Sequence, residues 1–347
     1  MAKILIMRLS SFGDVAMLVP VVYSVAVRYP QDRFYVMTRR AFTPLFENLG
    51  FNVNVISIDL DKKHRGISGF LKALYTCWAM RLSHVADEHD VLRTKILRWA
   101  LMLSGVKTRH IDKGRREKQQ MIETKVLQPP LKHTIERYSD VLVRLGFSVK
   151  MTFTNLLDFA TLRLPSNLEQ IIKEKKGTWI GVSPFAKHAG KVYPYDKMEQ
   201  VIKTLAKIES NHIFLFGAGK EENKIIEQWA KSYDKVYNMI KLGNLQTELF
   251  FIRELDVMLS MDSANMHVAS LVETPVVSIW GATHPSLGFY GFRQDIDNVI
   301  SLDLTCRPCS VYGEQPCLRP EKDYACLNHI TPDMIVNKVN TVLSKRK

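Results

Sequence analysis

The chain has 347 residues, and at roughly 150 residues per domain that length suggests two domains. Apolar residues make up 46% and charged residues 24%, which excludes a disordered or fibrous chain and leaves one with real cores. The formal charge of +13, from 48 basic against 35 acidic residues, biases its partners toward phosphates, nucleic acids or anionic lipid surfaces. The longest apolar run, Val15 to Val22, is followed by Arg28 well before the roughly 20 residues a membrane span needs. Lys3 precedes only a short apolar stretch that runs into Arg8 and Asp14, with no secretory h-region or cleavage site. A cytoplasmic protein is therefore expected.

In chain order, Lys3 to Leu9 reads as a buried strand that enters the turn Ser10-Ser11-Phe12-Gly13-Asp14. Val15 to Tyr29 has helical spacing and stops at Pro30, and Phe34 to Thr38 reads as a second strand. Ala41 to Leu49 predicts a short helix ended by Gly50, and Asn52 to Asp59 another strand. Apolar residues recur at helical spacing from Gly66 to Leu103, whereas Asp112 to Lys132 has few of them and is expected to be a mobile loop. The connection between domains is expected near residues 160–178, around a short charged helix. Beyond it, strands at Trp179–Pro184, His212–Gly217, Val236–Met239, Val257–Met261 and Val276–Gly281 alternate with helices at Met198–Ile208, Glu221–Lys231, Glu248–Glu254 and Ala264–Leu271. Thr331 reads as the N-cap, and Pro332 as the first residue, of a terminal helix reaching Ser344. Such alternation predicts an α/β protein with parallel sheets covered by helices. The expected domains are 1–165 and 166–330, with residues 331–347 packing back on the first.

The positive charge is uneven: Val91 to Lys150 holds 14 Lys or Arg against five acids. A solvated basic face and a docking site for phosphorylated or lipid partners both fit this stretch. No aromatic residue lies between Lys107 and Arg137, which argues against nucleic acid as the partner.

Two strand-to-helix loops carry unusual polar residues. In the first, small Gly-containing Ser10-Ser11-Phe12-Gly13-Asp14 opens a helix, where Asp14 fits either a first-turn capping residue or a catalytic carboxylate. The loop lacks both the three-glycine dinucleotide fingerprint and the Walker ending, which argues against nicotinamide or P-loop chemistry. In the second, Met261-Asp262-Ser263-Ala264-Asn265-Met266-His267 opens another helix. Small side chains at Ser263 and Ala264 would let a diphosphate approach the helix N-terminus. His267, one turn inside, fits a packed core histidine as well as a ligand contact.

Three segments resemble the motifs of glycosyltransferase family 9, the bacterial heptosyltransferases of lipopolysaccharide core synthesis. They are Ser10-Ser11-Phe12-Gly13-Asp14 with Pro20 following, Ser260-Met261-Asp262-Ser263-Ala264-Asn265-Met266-His267-Val268-Ala269, and Trp280-Gly281-Ala282-Thr283-His284-Pro285. Their order and approximate spacing match over nearly the whole chain. The resemblance implies a GT-B architecture of two facing Rossmann-like domains with an interdomain cleft, the C-terminal one holding the nucleotide sugar and the N-terminal one the acceptor. Asp14 would be the general base of an inverting transfer, with Ser10, Ser11, Gly13, Arg115 and Arg116 on the acceptor side.

Lys191 would contact the donor phosphates and, with Asp14, serve catalysis by neutralising the leaving diphosphate. The family's Trp before Pro is Tyr193 here, and Lys187 lies close enough in sequence to compete for that role. Ser183, Asp262, Ser263, Ala264 and His267 would line the donor site. Glu221, rather than Glu222, would bind the ribose hydroxyls, and the loop Met239-Ile240-Lys241-Leu242-Gly243 would read the base. The donor would be an ADP-sugar and the acceptor a lipid-linked or phosphorylated glycan, with no cofactor required. The enzyme would be monomeric and peripherally attached to the inner face of the cytoplasmic membrane.

Cys306, Cys309, Cys317 and Cys326 form a cluster that fits a structural zinc site, free thiols or disulfides. Other readings of the whole chain are a GT-B enzyme using a different nucleotide sugar and, in another class, a basic nucleic-acid-binding protein.

Overall fold

The computed structural model describes residues 1–47, 49–59, 66–158, 164, 166–240 and 242–345. The chain divides into two compact units, Met1–Lys113 with Lys132–Leu162, and Gly114–Leu131 with Arg163–Lys347. The expected connection near residues 160–178 begins at positions outside the described residues, as does Lys241.

The elements of the first unit are β1 (Lys3–Met7), α1 (Phe12–Arg28), β2 (Arg33–Arg39), β3 (Val53–Ile58), α2 (Gly66–Ala79), β4 (His84–Asp87), α3 (Leu92–Leu103) and β5 (Lys107–His110). Next come α4 (Arg115–Thr124), which belongs to the second unit, and α5 (Thr134–Arg144), which belongs to the first. The five strands pair in parallel in the order β3-β2-β1-β4-β5. Central β1 is buried over Ile4, Leu5, Ile6 and Met7, as a strand covered on both faces must be. Leu5, Met7 and Leu9 pack with Ala73 and Cys77 of α2 and Leu97 and Leu101 of α3, so both helices cover the same sheet face.

The second unit continues with α6 (Ser166–Lys173), β6 (Thr178–Ser183), α7 (Tyr195–Ala206), β7 (Asn211–Leu215), α8 (Gly219–Ser232), β8 (Val236–Asn238) and α9 (Leu245–Arg253). It closes with β9 (Val257–Met261), α10 (Ala264–Leu271), β10 (Val276–Trp280), β11 (Val299–Ser301), α11 (Ala325–Asn328) and α12 (Pro332–Ser344). Its six strands are also parallel, in the order β11-β10-β9-β6-β7-β8. In each sheet the order reverses beside a central strand, next to β1 in the first and between β6 and β9 in the second. A crevice for ligands opens at the carboxyl ends of the strands at such a switch point.

Five expectations are corrected. Asp112 to Lys132 is not a loop, because α4 forms there, and its residues sit with the second unit rather than within a 1–165 domain. Buried Lys118 and Met121 anchor α4, with the Lys118 ammonium 4.1 Å from the centre of the Phe289 ring. A lysine held by an aromatic face is invisible to an apolar count. The terminal helix, expected to pack on the first unit, contributes Ile335, Val336, Val339 and Val342 to the second unit's core. Its start is as expected, with the Thr331 hydroxyl accepting the Met334 N–H at 3.3 Å. The helical run of Gly66–Leu103 is two helices separated by β4, and the expected helix at Ala41–Leu49 is a 3-10 segment, Arg40–Leu45.

Candidate active site

In the first unit, the loop leaving β1 meets the loop leaving β4. Asp14 occupies the third position of α1, where the Ser11 N–H and hydroxyl donate to its Oδ2 at 3.2 and 2.7 Å. That is a capping box. The same oxygen lies 2.6 Å from Nη2 of Arg8, whose Nη1 donates to the Glu88 carbonyl at 2.6 Å. Tyr138 donates its hydroxyl to the Asp14 carbonyl at 3.2 Å. Asp14 is thus the helix-capping residue, with its carboxylate fixed at the sheet's switch point. Ser10 and His89 share a hydrogen bond at 3.2 Å.

Sequence reasoning missed Glu88 and His89. Glu88 is fully buried, and desolvation, opposed by Arg8, pushes its carboxyl well above the usual carboxylate range. Burial, reinforced by Arg8 and Lys113, lowers His89 to about 3, which leaves a neutral imidazole beside Ser10. Both residues lie in the stretch whose apolar residues recur at helical spacing. The short string Val85-Ala86-Asp87-Glu88-His89-Asp90, a strand turning abruptly acidic, was the available signal.

In the second unit, Asp262, Ser263, Ala264 and His267 stand where β9 gives way to α10, with Ser263 as N-cap. Asp262 is nearly buried and accepts two contacts on one oxygen, Oδ2: Lys191 Nζ at 2.7 Å and the Thr283 hydroxyl at 2.7 Å. Ser183, at the end of β6, accepts from Asn265 at 2.9 Å, and the hydroxyls of Ser260 and Ser263 share a hydrogen bond at 3.3 Å. Lys191, Asp262, Thr283, Ser183 and the start of α10 are therefore one cluster. A cation, small side chains and unfilled helix N–H groups suit it to a diphosphate.

Glycines bring Lys191 into place. A Cβ on Gly190 would come 2.8 Å from the Ala282 Cβ and 2.9 Å from the Gly313 carbonyl, and the Ala282 N–H donates to the Gly190 carbonyl at 2.7 Å. Gly313, at φ +79°, lies where a Cβ would come 2.7 Å from the Lys191 side chain. Arg307, another residue the sequence analysis missed, is nearly buried and braces the neighbouring loop. Its guanidinium donates to the carbonyls of Trp280, Gly281, Leu302 and Thr283 and to the Ser301 hydroxyl. The adjacent Gly281-Ala282-Thr283 motif pointed to the loop but not to its brace.

Of the remaining expected contacts, Met239 follows β8 and its N–H donates to the Leu215 carbonyl at 3.0 Å. Glu221 is exposed and pairs with Lys224 at 3.0 Å, while Glu222 turns back to accept the Ala218 N–H at 2.7 Å. Arg115 and Arg116, expected on the acceptor side, are exposed on α4 of the second unit. Cys306, Cys309, Cys317 and Cys326 line one small cavity with Ala282, Arg319 and Tyr324, and all five cysteines are free. Burial raises the Cys326 thiol to about 11 and also raises Cys309. Among the described residues, no group of three or more His, Cys, Asp or Glu is arranged to hold a metal ion.

The family model for glycosyltransferase family 9 (heptosyltransferase) matches residues 96–316. Lipooligosaccharide heptosyltransferase 2 of Campylobacter jejuni is 26% identical over 189 residues, and the match spans 52% of this chain and 57% of that relative. Among solved structures, the E. coli heptosyltransferase WaaC with ADP is similar at a TM-score of 0.68 and 17% identity, covering 98% of this chain and 99% of that one. The family 9 glycosyl transferase of Veillonella parvula reaches a TM-score of 0.75 at 16% identity, covering 99% of this chain and 98% of that one. These likenesses carry the fold, the GT-B class of two α/β units with parallel sheets. The family model covers well over half of the chain, and the protein belongs to glycosyltransferase family 9.

Proposed function

We propose that the chain transfers a heptose, or a related sugar, from an ADP-sugar to a lipopolysaccharide-core or lipid-linked glycan acceptor. The donor binds on the second unit and the acceptor on the first. The observation that carries this reading is the Lys191–Asp262–Thr283 cluster beside the N-terminus of α10. The names of two similar proteins support it: the Campylobacter relative is a lipooligosaccharide heptosyltransferase, and the WaaC structure holds ADP.

The chemistry is one in-line displacement. The Asp14 carboxylate takes the proton of the acceptor hydroxyl while that oxygen forms its bond to the anomeric carbon. The bond from that carbon to the diphosphate breaks on the opposite face, so the configuration inverts. Lys191 and the N–H groups at the start of α10 neutralise the charge that develops on the departing ADP. Ser183, Ser263 and Ala264 admit the diphosphate, Glu221 meets the ribose, and the loop at Met239 meets the base. The same reading places the enzyme as a monomer on the cytoplasmic face of the membrane.

A panel of nucleoside diphosphates in thermal unfolding tests the donor. ADP at about 100 times its Kd should stabilise the fold by about 2.7 kcal/mol. Stabilisation by UDP or GDP with no response to ADP would replace this reading with a transferase that uses another nucleotide sugar.

A further inference from the structure

Nine of the 22 large hydrophobic side chains that are exposed among the described residues lie on α2 and α3, which are only 14 and 12 residues long. They are not scattered. On α2, Ile67, Leu71, Tyr75 and Trp78 recur at spacings of four, four and three, which places them within one quarter of the helix circumference. On α3, Leu92, Ile96, Trp99 and Leu103 repeat nearly the same spacing and form a matching stripe. The inward faces are occupied by Ala73 and Cys77 of α2 and by Leu97 and Leu101 of α3, which pack on the same face of the first unit's sheet. Both stripes therefore turn away from that sheet, on two helices that touch each other.

Leu103 is 86% exposed, Ile67 81% and Trp78 62%, values an amphipathic surface helix has no reason to show on its solvent side. The exposed charges beside the stripes share one sign, and the half-buried Asp90 before α3 is paired with Lys95 and Arg98. Neither helix contains an acidic residue, while Lys72 and Arg93 are exposed and Arg81 follows α2. Exposed Lys107 and Arg109 stand just beyond α3. Apolar stripes that include Tyr and Trp, bordered by Lys and Arg, match the interfacial zone of an anionic bilayer. There, aromatic rings settle at headgroup level and cations meet lipid phosphates. A face made for a second protein copy would have no need of this single-signed border, because two such faces would repel each other.

We infer that the outward face of α2 and α3 is the membrane-docking surface of this protein, inserting Leu71, Trp78, Ile96, Trp99 and Leu103 into the headgroup region of an anionic bilayer. No helix among the described residues is long and apolar enough to cross a membrane, so attachment through this face is interfacial. The inference rests on the peripheral-membrane part of the proposed function. It differs from simple attraction by the basic stretch of Val91 to Lys150, since burial of apolar side chains survives salt and Coulomb attraction does not.

The test uses the full chain and vesicles of phosphatidylglycerol mixed with phosphatidylcholine, compared with pure phosphatidylcholine. The wild type should float with the anionic vesicles and keep a measurable bound fraction at about 1 M salt, where the Debye length is about 3 Å. Trp179, Trp229 and Trp280 are buried, so brominated acyl chains should quench mainly Trp78 and Trp99. The variant Leu71→Gln/Trp78→Gln/Trp99→Gln should lower vesicle partitioning at least about tenfold and lose the quenching. Its ADP affinity, read by calorimetry, should equal that of the wild type. That equality keeps this test separate from failure of the transferase reading, and far-UV circular dichroism with a cooperative thermal transition matching the wild type shows that the first unit of the variant has folded.

Variant flotation equal to wild type, or no quenching of the wild type by brominated chains, would overturn the inference. So would complete release of the wild type by salt. A wild-type oligomer that the triple variant dissociates would assign the face to a second copy of the chain and overturn the lipid assignment.

Discussion

Lys191→Met tests the core of the donor site through an energy that can be worked from the geometry. The Lys191 ammonium lies 2.7 Å from Asp262 Oδ2, and the two side chains are 15% and 5% exposed. Removing the cation leaves a nearly buried carboxylate with the Thr283 hydroxyl as its named donor. Losing one partner of a buried pair costs about 3–5 kcal/mol, and the partial exposure of Lys191 places this pair near the lower end, about 3 kcal/mol. Asp262→Asn keeps an acceptor for Thr283 and leaves an ammonium that reaches solvent, so its cost is smaller, about 1–2 kcal/mol.

Because each single change leaves an uncompensated group that the double change removes, Lys191→Met/Asp262→Asn should cost less than the sum by about 1–3 kcal/mol. Urea unfolding followed through Trp179, Trp229 and Trp280, all buried in the second unit, reads this double-mutant cycle. Calorimetry reads the function. Lys191→Met should weaken ADP binding at least tenfold, about 1.4 kcal/mol. Effects additive to within about 0.5 kcal/mol would refute the pairing, and an unchanged ADP affinity in Lys191→Met would refute the placement of the donor phosphates.

Asp14→Asn should abolish sugar transfer while ADP affinity stays within a few fold, since the base acts on the acceptor; near-normal turnover by the folded variant would remove Asp14 from the chemistry. Lys118→Gln should destabilise the second unit by about 1 kcal/mol through loss of its seat over Phe289, whereas Arg115→Gln/Arg116→Gln on the exposed side of α4 should stay within about 0.5 kcal/mol per site. Burial raises Glu248 to about 7, above its unfolded value, so its contribution is fully present at low pH and is lost as pH rises through about 7. Glu248→Gln should therefore gain about 2 kcal/mol on wild type between about pH 5 and pH 8 in chemical unfolding, and parallel pH profiles would contradict this.

Local patterns in the sequence determined a good deal. Alternation of buried strands with helices specified two parallel-sheet units, because a strand covered on both faces must be apolar along its length. Small polar residues between strand and helix marked both Ser10–Asp14 and Met261–His267, since a helix start that is to approach an anion closely has to be small there. Thr331 and Pro332 located the last helix through capping chemistry that spans three residues.

Tertiary structure decided what depends on partners far away in the chain. No window around Lys118 contains Phe289, and none around Ile335 or Val339 names the core that receives them. Helical spacing of apolar residues across Gly66–Leu103 hid β4, a four-residue strand, and with it Glu88, raised by burial against Arg8, and His89, lowered by burial and by Arg8. Arg307 shows nothing in sequence because four of its five partners are carbonyls, which every residue carries. The apolar stripes of α2 and α3 have the same cause: periodicity finds an apolar face, but only packing shows that the inward face is already filled by other residues. Short-range rules fix backbone conformation residue by residue, whereas the placement of a charge or an apolar face is set by contacts that exist only after the sheets have assembled.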